Sequence, residues 1–172
     1  AVYRRGSGYG AINGEGHVVI PADYNKLIVE DNRFLACQNM GYKDRWVILD
    51  ANGRTITEKH YQYIAPYNGK FYPVVNRGFW GALDLHGREI ITCVHDSLVL
   101  QKENHIVVKF KGEYGIIDLS ENWIVTPQPN PLRVLKDELY FEFAGETTFL
   151  KSITGNIIYF SDNRLEFKDG YI

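Results

Sequence analysis

Long apolar runs are missing from this chain. No window of about 18 consecutive apolar residues occurs, which excludes a membrane-spanning helix and argues against membrane insertion. An excess of one charge is missing too: 19 Lys and Arg stand against 21 Asp and Glu, for a net charge of −2. Proteins that grip nucleic acid are usually basic across a face, so no nucleic-acid partner is expected. Cysteine is scarce. Cys37 and Cys93 are the only two, and they do not recur with the repeat described below, so a disulfide framework is not expected and a single bond is left open. No Asn-x-Ser/Thr sequon is present. The chain begins at Ala1 without an initiator Met, which fits a processed form or a segment of something longer and leaves the compartment open.

Metal and catalytic signatures are also lacking. The five histidines, His17, His60, His86, His95 and His105, form no His-x-His or His-Glu-x-x-His pattern, so no zinc or other metal site is expected. Gly6-Ser7-Gly8-Tyr9-Gly10 has neither the Lys-Ser/Thr of a phosphate loop nor a following helix. No Gly-x-Ser-x-Gly elbow exists, and no carboxylate pair is marked out for glycoside chemistry. Catalytic residues are therefore expected to be none, cofactors none, and the protein not an enzyme.

What the chain does contain is aromatic residues at 14%, including 12 Tyr, together with 16 Gly. Both lean towards strands and tight turns. Four segments align: GYGAINGEG from Gly8, RWVILDANG from Arg45, FWGALDLHG from Phe79 and EYGIIDLSE from Glu113. Their aromatics, Tyr9, Trp46, Trp80 and Tyr114, are 37, 34 and 34 residues apart, and a further 34 reaches Thr148 in a degenerate fifth copy that keeps Gly155. Four positions after each aromatic come Asn13, Asp50, Asp84 and Asp118; seven positions after come Gly16, Gly53 and Gly87. The agreement continues through Tyr24, Tyr61 and His95, with His95 read as a packed substitute for Tyr, and then through Leu27, Ile64, Leu98 and Leu132. A self-similar period of this length signals a repeat architecture.

Each unit reads as four short strands bounded by Gly, Asn and Asp, with no helical period. The repeated Asp opens a four-residue turn closed by Gly, where a carboxylate accepts backbone N–H groups. Gly81 and Gly115 after the aromatic are expected to make room for a neighbouring ring or a bulge. The extra residues of the first copy, Gly41-Tyr42-Lys43-Asp44, read as a longer loop. The pattern resembles the bacterial WG-repeat family, best in Phe79–Gly87 and in Val18-Val19-Ile20-Pro21-Ala22-Asp23-Tyr24. It departs from the family where Val47 replaces Gly, where Pro127, Pro129 and Pro131 intrude, and where Thr148 replaces the aromatic. The resemblance implies a repeat module of interaction function with no catalytic residues to carry over.

The expectation is thus an all-β fold of tandem ~34-residue repeats of short antiparallel strands, propeller-like or an open β-solenoid. It forms a single repeat domain over 1–172, with units of about 8–44, 45–78, 79–112, 113–146 and 147–172. In the closed form, residues 1–7 complete the last unit, whose own strands are read near Phe149, at Ile157-Ile158-Tyr159-Phe160 and near Leu165-Glu166-Phe167. The in-register Tyr9, Trp46, Trp80 and Tyr114 are read as core, and Asp50, Asp84, Asp118, Gly53 and Gly87 as turn residues.

Aromatics outside the register, Tyr42, Tyr63, Tyr67 and Trp123, are the candidate binding residues, Tyr42 above all because of its place in the inserted loop. Basic residues gather before each first strand, Arg4, Arg5, Lys43, Arg45, Arg77, Lys109 and Lys111, and Arg45 and Arg77 join the candidates. A non-catalytic scaffold for protein–protein interaction is the expected function, with a protein as partner. The alternative is a glycan-binding module with pockets between repeats, which needs the turn oxygens of Asn13, Asp50, Asp84 and Asp118 to be free.

Overall fold

A computed structural model describes residues 1–102, 104–136 and 138–165, and every regular element among them is a strand. In chain order these are β1 (Val2–Arg5), β2 (Gly8–Ile12), β3 (Val18–Tyr24), β4 (Lys26–Glu30), β5 (Arg33–Met40), β6 (Lys43–Asp50), β7 (Tyr63–Ile64), β8 (Tyr72–Asn76) and β9 (Phe79–Leu83). They continue as β10 (Glu89–His95), β11 (Ser97–Lys102), β12 (His105–Phe110), β13 (Glu113–Ile117), β14 (Trp123–Gln128), β15 (Leu132–Lys136), β16 (Leu139–Ala144), β17 (Thr147–Ser152) and β18 (Ile157–Ser161). The strand expected near Leu165-Glu166-Phe167 lies mostly outside the described residues.

The strands are those of the repeat, but the sheets are not. Five antiparallel sheets form: β1-β2-β3, β4-β5-β6, β7 to β10, β11 to β14 and β15 to β18. A full sheet takes the third and fourth strands of one repeat and the first and second of the next. Two-residue hairpins join the fourth strand to the following first, as at Arg77-Gly78 and Lys111-Gly112, where both residues have positive φ (52° and 83°; 52° and 86°). That backbone twist matches the twist of the strands it joins, which favours pairing across the repeat boundary. The N-terminal strand obeys the same rule. β1 pairs with β2, Val2 to Ala11 through Arg5 to Gly8, as a fourth strand pairs with the first strand that follows it.

The Gly after the repeated aromatic does what its position implied. A Cβ on Gly115 would lie 2.5 Å from the Trp123 ring, one on Gly81 2.5 Å from the Ile91 carbonyl oxygen, and one on Gly10 2.5 Å from that of Ile20. The registers of β2 with β3 and β13 with β14 slip at this point, so the close approach coincides with a bulge. In the second copy Val47 occupies the position. There the second strand is reduced to two isolated bridges, Leu49 to Thr55 and Trp46 to Tyr61. A side chain where only backbone fits keeps the neighbouring strand away.

The three extra residues of the first copy do not make a longer loop. Beyond Cys37–Trp46 the β5–β6 ladder runs on through Gln38–Arg45, Asn39–Asp44 and Met40–Lys43, against one further pair beyond Lys109–Tyr114. The added length is taken up as paired strand, and the turn stays at two residues, Gly41-Tyr42, with Gly41 at φ 74°.

One repeated role went unread in the sequence. The residue at the corner between a second and a third strand accepts an N–H from a hairpin: Asn25 Oδ1 from Asn39 (2.6 Å), Gln62 Oε1 from Gly78 (2.6 Å) and Asp96 Oδ2 from Gly112 (2.9 Å). The side-chain acceptor pins each corner to its hairpin.

The residues group into two compact units, Ala1–Cys93 and Val94–Ile172. The first is built on Leu35, Ile48, Ile64, Tyr72, Val74 and Leu83, with a second cluster around Ile20 and Leu49. The second is built on Ile116, Leu132, Val134 and Tyr140, and on Phe141 with Leu150. Cys37 and Cys93 are not joined by a disulfide.

Candidate binding surface

The turn carboxylates are occupied by their own turns. Asp50 Oδ1 accepts from the backbone N–H groups of Asn52 (2.8 Å) and Arg54 (2.9 Å), Asp84 Oδ1 from His86 (2.7 Å) and Arg88 (3.0 Å), and Asp118 Oδ1 from Ser120 (2.8 Å) and Asn122 (2.9 Å). Asn13 Oδ1 does the same for Glu15 and His17. The second oxygen of Asp84 is held by the Arg88 guanidinium (2.7 and 2.8 Å), that of Asp118 by the Asn122 amide (3.0 Å). The fifth copy has Ser152 instead, and its hydroxyl oxygen accepts from Asn156 N–H (3.1 Å). Among the described residues, no group of three or more His, Cys, Asp or Glu is placed to hold a metal.

These bonds make a pH prediction. Burial pushes the Asp84 carboxyl up, but the N–H of Arg88, its guanidinium and the N–H of His86 outweigh this and hold it below the ordinary carboxylate range. A folded value below the unfolded one stabilises the fold above the unfolded value, and that stability is lost as pH falls through the folded value. Asp84→Ala is therefore expected to cost roughly 1.5–3 kcal/mol at neutral pH. In urea titrations the gap between variant and parent should narrow as pH drops below 4.

An aromatic ladder stands in the first unit. Tyr63, on β7, is 42% exposed and packs edge-on between Trp46 (centroids 5.9 Å, planes at 79°) and Trp80 (6.3 Å, 80°). Sheet register explains the placement. Tyr63 and Trp80 both pair with Val75, on opposite sides of β8, while Trp46 comes from the neighbouring sheet through its bridge to Tyr61. Trp46 is buried at 3%, whereas Trp80, Tyr9 and Tyr114 are only half-buried. Of the four, Trp46 is fully buried, and Tyr114 packs half-buried against the cluster around Ile116 and Tyr140.

The basic residues serve these rings. The Lys26 ammonium lies 5.8 Å from the Trp46 centroid, the Arg4 guanidinium 5.7 Å from Tyr9 and the Lys109 ammonium 5.2 Å from Tyr114. Beside the ladder a cleft of about 210 Å³ is lined by Lys43, Asp44, Arg45, His60, Tyr61, Gln62 and Asn76. Lys43, Arg45, His60 and Gln62 are exposed, and Arg77 follows Asn76 in the hairpin turn.

The candidate residues therefore separate. Arg45 lines the cleft and Tyr63 stands in the ladder, while Arg77 follows the cleft's Asn76 in the chain. Tyr42 is fully exposed at the tip of the long β5–β6 hairpin. Tyr67 lies elsewhere in the first unit. It is partly buried against Tyr72 (5.2 Å), its N–H reaches the Glu30 carboxylate (3.2 Å), and it lines a cleft of about 440 Å³ with Val29, Arg33 and Leu85. Trp123, in the second unit, is 39% exposed and packs on Phe110 (6.2 Å) and His95 (6.4 Å). His95 is buried at 4% in the manner expected of a substitute for Tyr, and burial lowers its pKa. His60, Gln62 and Asn76 were not singled out in the sequence; of the three, Gln62 holds a repeated position, that of the corner acceptor.

Among solved structures a similar chain is PorZ, described as an essential bacterial surface component of the type-IX secretion system of human oral-microbiomic Porphyromonas gingivalis. It is 14% identical with a TM-score of 0.34, over 91% of this chain and 25% of that one. This chain thus spans about a quarter of that chain's length, and a likeness so distant carries no argument here. No curated protein matches the sequence. Residues 9–39 match the family described as WG containing repeat, and the Asx-held turn of that stretch recurs in the later copies.

Proposed function

We propose that the chain is a non-catalytic scaffold that binds a protein partner through the Trp46–Tyr63–Trp80 ladder. One observation carries this reading: an exposed tyrosine is held edge-on between two tryptophans, beside a cleft flanked by Lys43 and Arg45. Rigid aromatics with an adjacent cation are the usual composition of an energetic anchor in a protein interface. The partner surface that fits is apolar with carboxylates at its edge. The projecting Tyr42 extends the same hairpin that carries Lys43 and Arg45.

A comparative pull-down tests this. Proteins retained from lysate by the parent chain should fall about ten-fold or more with the double variant Arg45→Glu/Tyr63→Ser. They should be retained by Val99→Thr, a change at an exposed position of the second unit. Equal retention by all three chains would defeat the proposal. The glycan alternative needed free turn oxygens, and turn N–H groups fill at least one on each of Asn13, Asp50, Asp84 and Asp118. A glycan array on which the parent binds and the double variant binds equally well would favour that alternative.

A further inference from the structure

Two clefts adjoin in the first unit, and neither is lined by a ladder residue. One, of about 440 Å³, is walled by Val29, Tyr67 and Leu85 over the buried Tyr72. The other, of about 380 Å³, runs along the turn from Asp50 to Asn52. Arg33 and Leu85 line both, so the two meet there as one groove.

Polar groups that the fold leaves without partners gather in this groove. Arg33 opens β5, paired with Glu30 on one side and with Asp50 on the other. It is half-buried, yet its guanidinium has neither an ion pair nor a hydrogen bond among the described residues. Asp50 is the exception among the turn aspartates. Its Oδ1 holds the turn, but its Oδ2 has no partner like Arg88 at Asp84 or Asn122 at Asp118. Arg54 holds the equivalent place with an exposed side chain. The Tyr72 hydroxyl also lacks a hydrogen-bond partner among the described residues. Burial, then the Glu30 charge, raises its pKa while Arg33 lowers it, so both charges bear on it.

These groups define the ligand. A guanidinium only donates, a carboxylate oxygen only accepts, and a phenol does both. Among the lining residues the carboxylates of Glu30, Asp31 and Asp50 outnumber the Arg33 guanidinium, so an anion is repelled. An ammonium ligand would leave Arg33 facing a like charge. A neutral polyol satisfies every group, because each hydroxyl both donates and accepts. A sugar ring adds an apolar face that can lie on Tyr67 and Leu85. Each cleft has the volume of a small-ligand site, and two in line suit neighbouring rings of one chain.

We infer that this groove binds a neutral oligosaccharide, with Arg33 donating to it, Asp50 Oδ2 accepting from it and Tyr67 against a ring face. The site is not one of a set of equivalent pockets between repeats, since of the three turn aspartates Asp50 alone has the unpartnered oxygen. It shares no residue with the ladder or its cleft, so it stands or falls independently of the proposed function.

An NMR titration of the 172-residue chain tests it. The probes are the trisaccharides of glucose, mannose and N-acetylglucosamine, with trigalacturonate and trilysine as charged counterparts. At least one neutral trisaccharide should shift the amide signals of Arg33, Asn52 and Tyr67 below about 10 mM. Arg33→Met, which keeps the apolar stem, and Asp50→Asn should each weaken that binding about ten-fold or more. Asp50→Asn retains the turn, since Asn13 holds the equivalent one through its own Oδ1, and it puts a donor where the acceptor stood. Both variants should unfold in urea as the parent does, and Arg45→Glu/Tyr63→Ser should bind the sugar as the parent does. Three results would overturn the inference. One is no shift of these signals with any neutral trisaccharide. Another is tighter binding there of trigalacturonate or trilysine than of every neutral probe. The last is sugar binding that Asp50→Asn and Arg33→Met leave unchanged.

Discussion

Gly53→Ala is expected to destabilise the chain by roughly 3 kcal/mol or more, while Gly16→Ala, at the equivalent position of the first repeat, costs about 1 kcal/mol. Both glycines have positive φ, 80° and 85°, so the strain of placing an L side chain there is common to the pair. The surroundings differ. At Gly53 the new methyl would sit 2.2 Å from a backbone oxygen, whereas at Gly16 it points into open space. A carbonyl in a paired strand cannot swing aside as a side chain can, so the turn or β3 must shift, and the Ile20–Leu49 cluster beneath loosens. Urea unfolding of the two variants against the parent reads the difference directly. Equal losses would mean that the turn-on-strand contact contributes nothing beyond the turn itself.

The second large effect is expected at Glu142. This carboxylate is 7% exposed in the middle of β16, and it receives the Lys151 ammonium and the Asn130 amide (2.7 Å). Removing one member of such a pair leaves the other charge without compensation in a place water scarcely reaches. Glu142→Ala should cost about 3–5 kcal/mol, while replacing both Glu142 and Lys151 by Met should recover much of the loss. Burial pushes the Glu142 carboxyl up, but the Lys151 and Asn130 hydrogen bonds and the Lys151 charge bring it below its ordinary 4.5. The native state therefore binds the proton less readily than the unfolded chain. The stabilisation is complete well above pH 4.5, begins to fade as that value is approached, and is gone once the pH lies below the folded value. Acid titration of the parent and of Glu142→Gln, followed by circular dichroism, should show a flatter decline in the variant.

Much of the secondary structure could be read from the repeat register. The strands lie where the alternation of apolar runs and turn residues puts them, and the Asp-x-x-Gly turns have the hydrogen bonds that their residue types require. The grouping into sheets could not be read, because hydrogen bonding between strands leaves no mark in a strand's own residues. The two-residue hairpins were its only trace. Gly41-Tyr42 was misjudged for a related reason: polar residues such as Asn39, Lys43 and Asp44 look like loop, yet they continue a ladder as readily as apolar ones when the strands project beyond the core.

An apolar run marks a strand but does not by itself mark burial. Ile116 and Ile117 are exposed at 0 and 1%, whereas the equally apolar Ile157 to Phe160 are exposed at 53 to 58%, because burial depends on a neighbour and not on the strand alone. The candidate site was half-legible. Tyr63 and Arg45 stood out by breaking or flanking the register. The ladder itself depends on Trp46 and Trp80 reaching Tyr63 from adjacent sheets, and one-dimensional spacing does not encode that.

Because each full sheet borrows its strands from two successive repeats, the unit that is duplicated and the unit that is stitched together are different stretches of chain. A cut at a repeat boundary, such as between Gly78 and Phe79, divides a hairpin and opens a sheet down its middle. A cut at a corner, beside Asn25 or Asp96, passes between sheets and leaves every ladder entire. Anyone trimming, circularly permuting or splicing this chain should therefore choose excision points at the corners, about half a repeat away from where the sequence alone invites them.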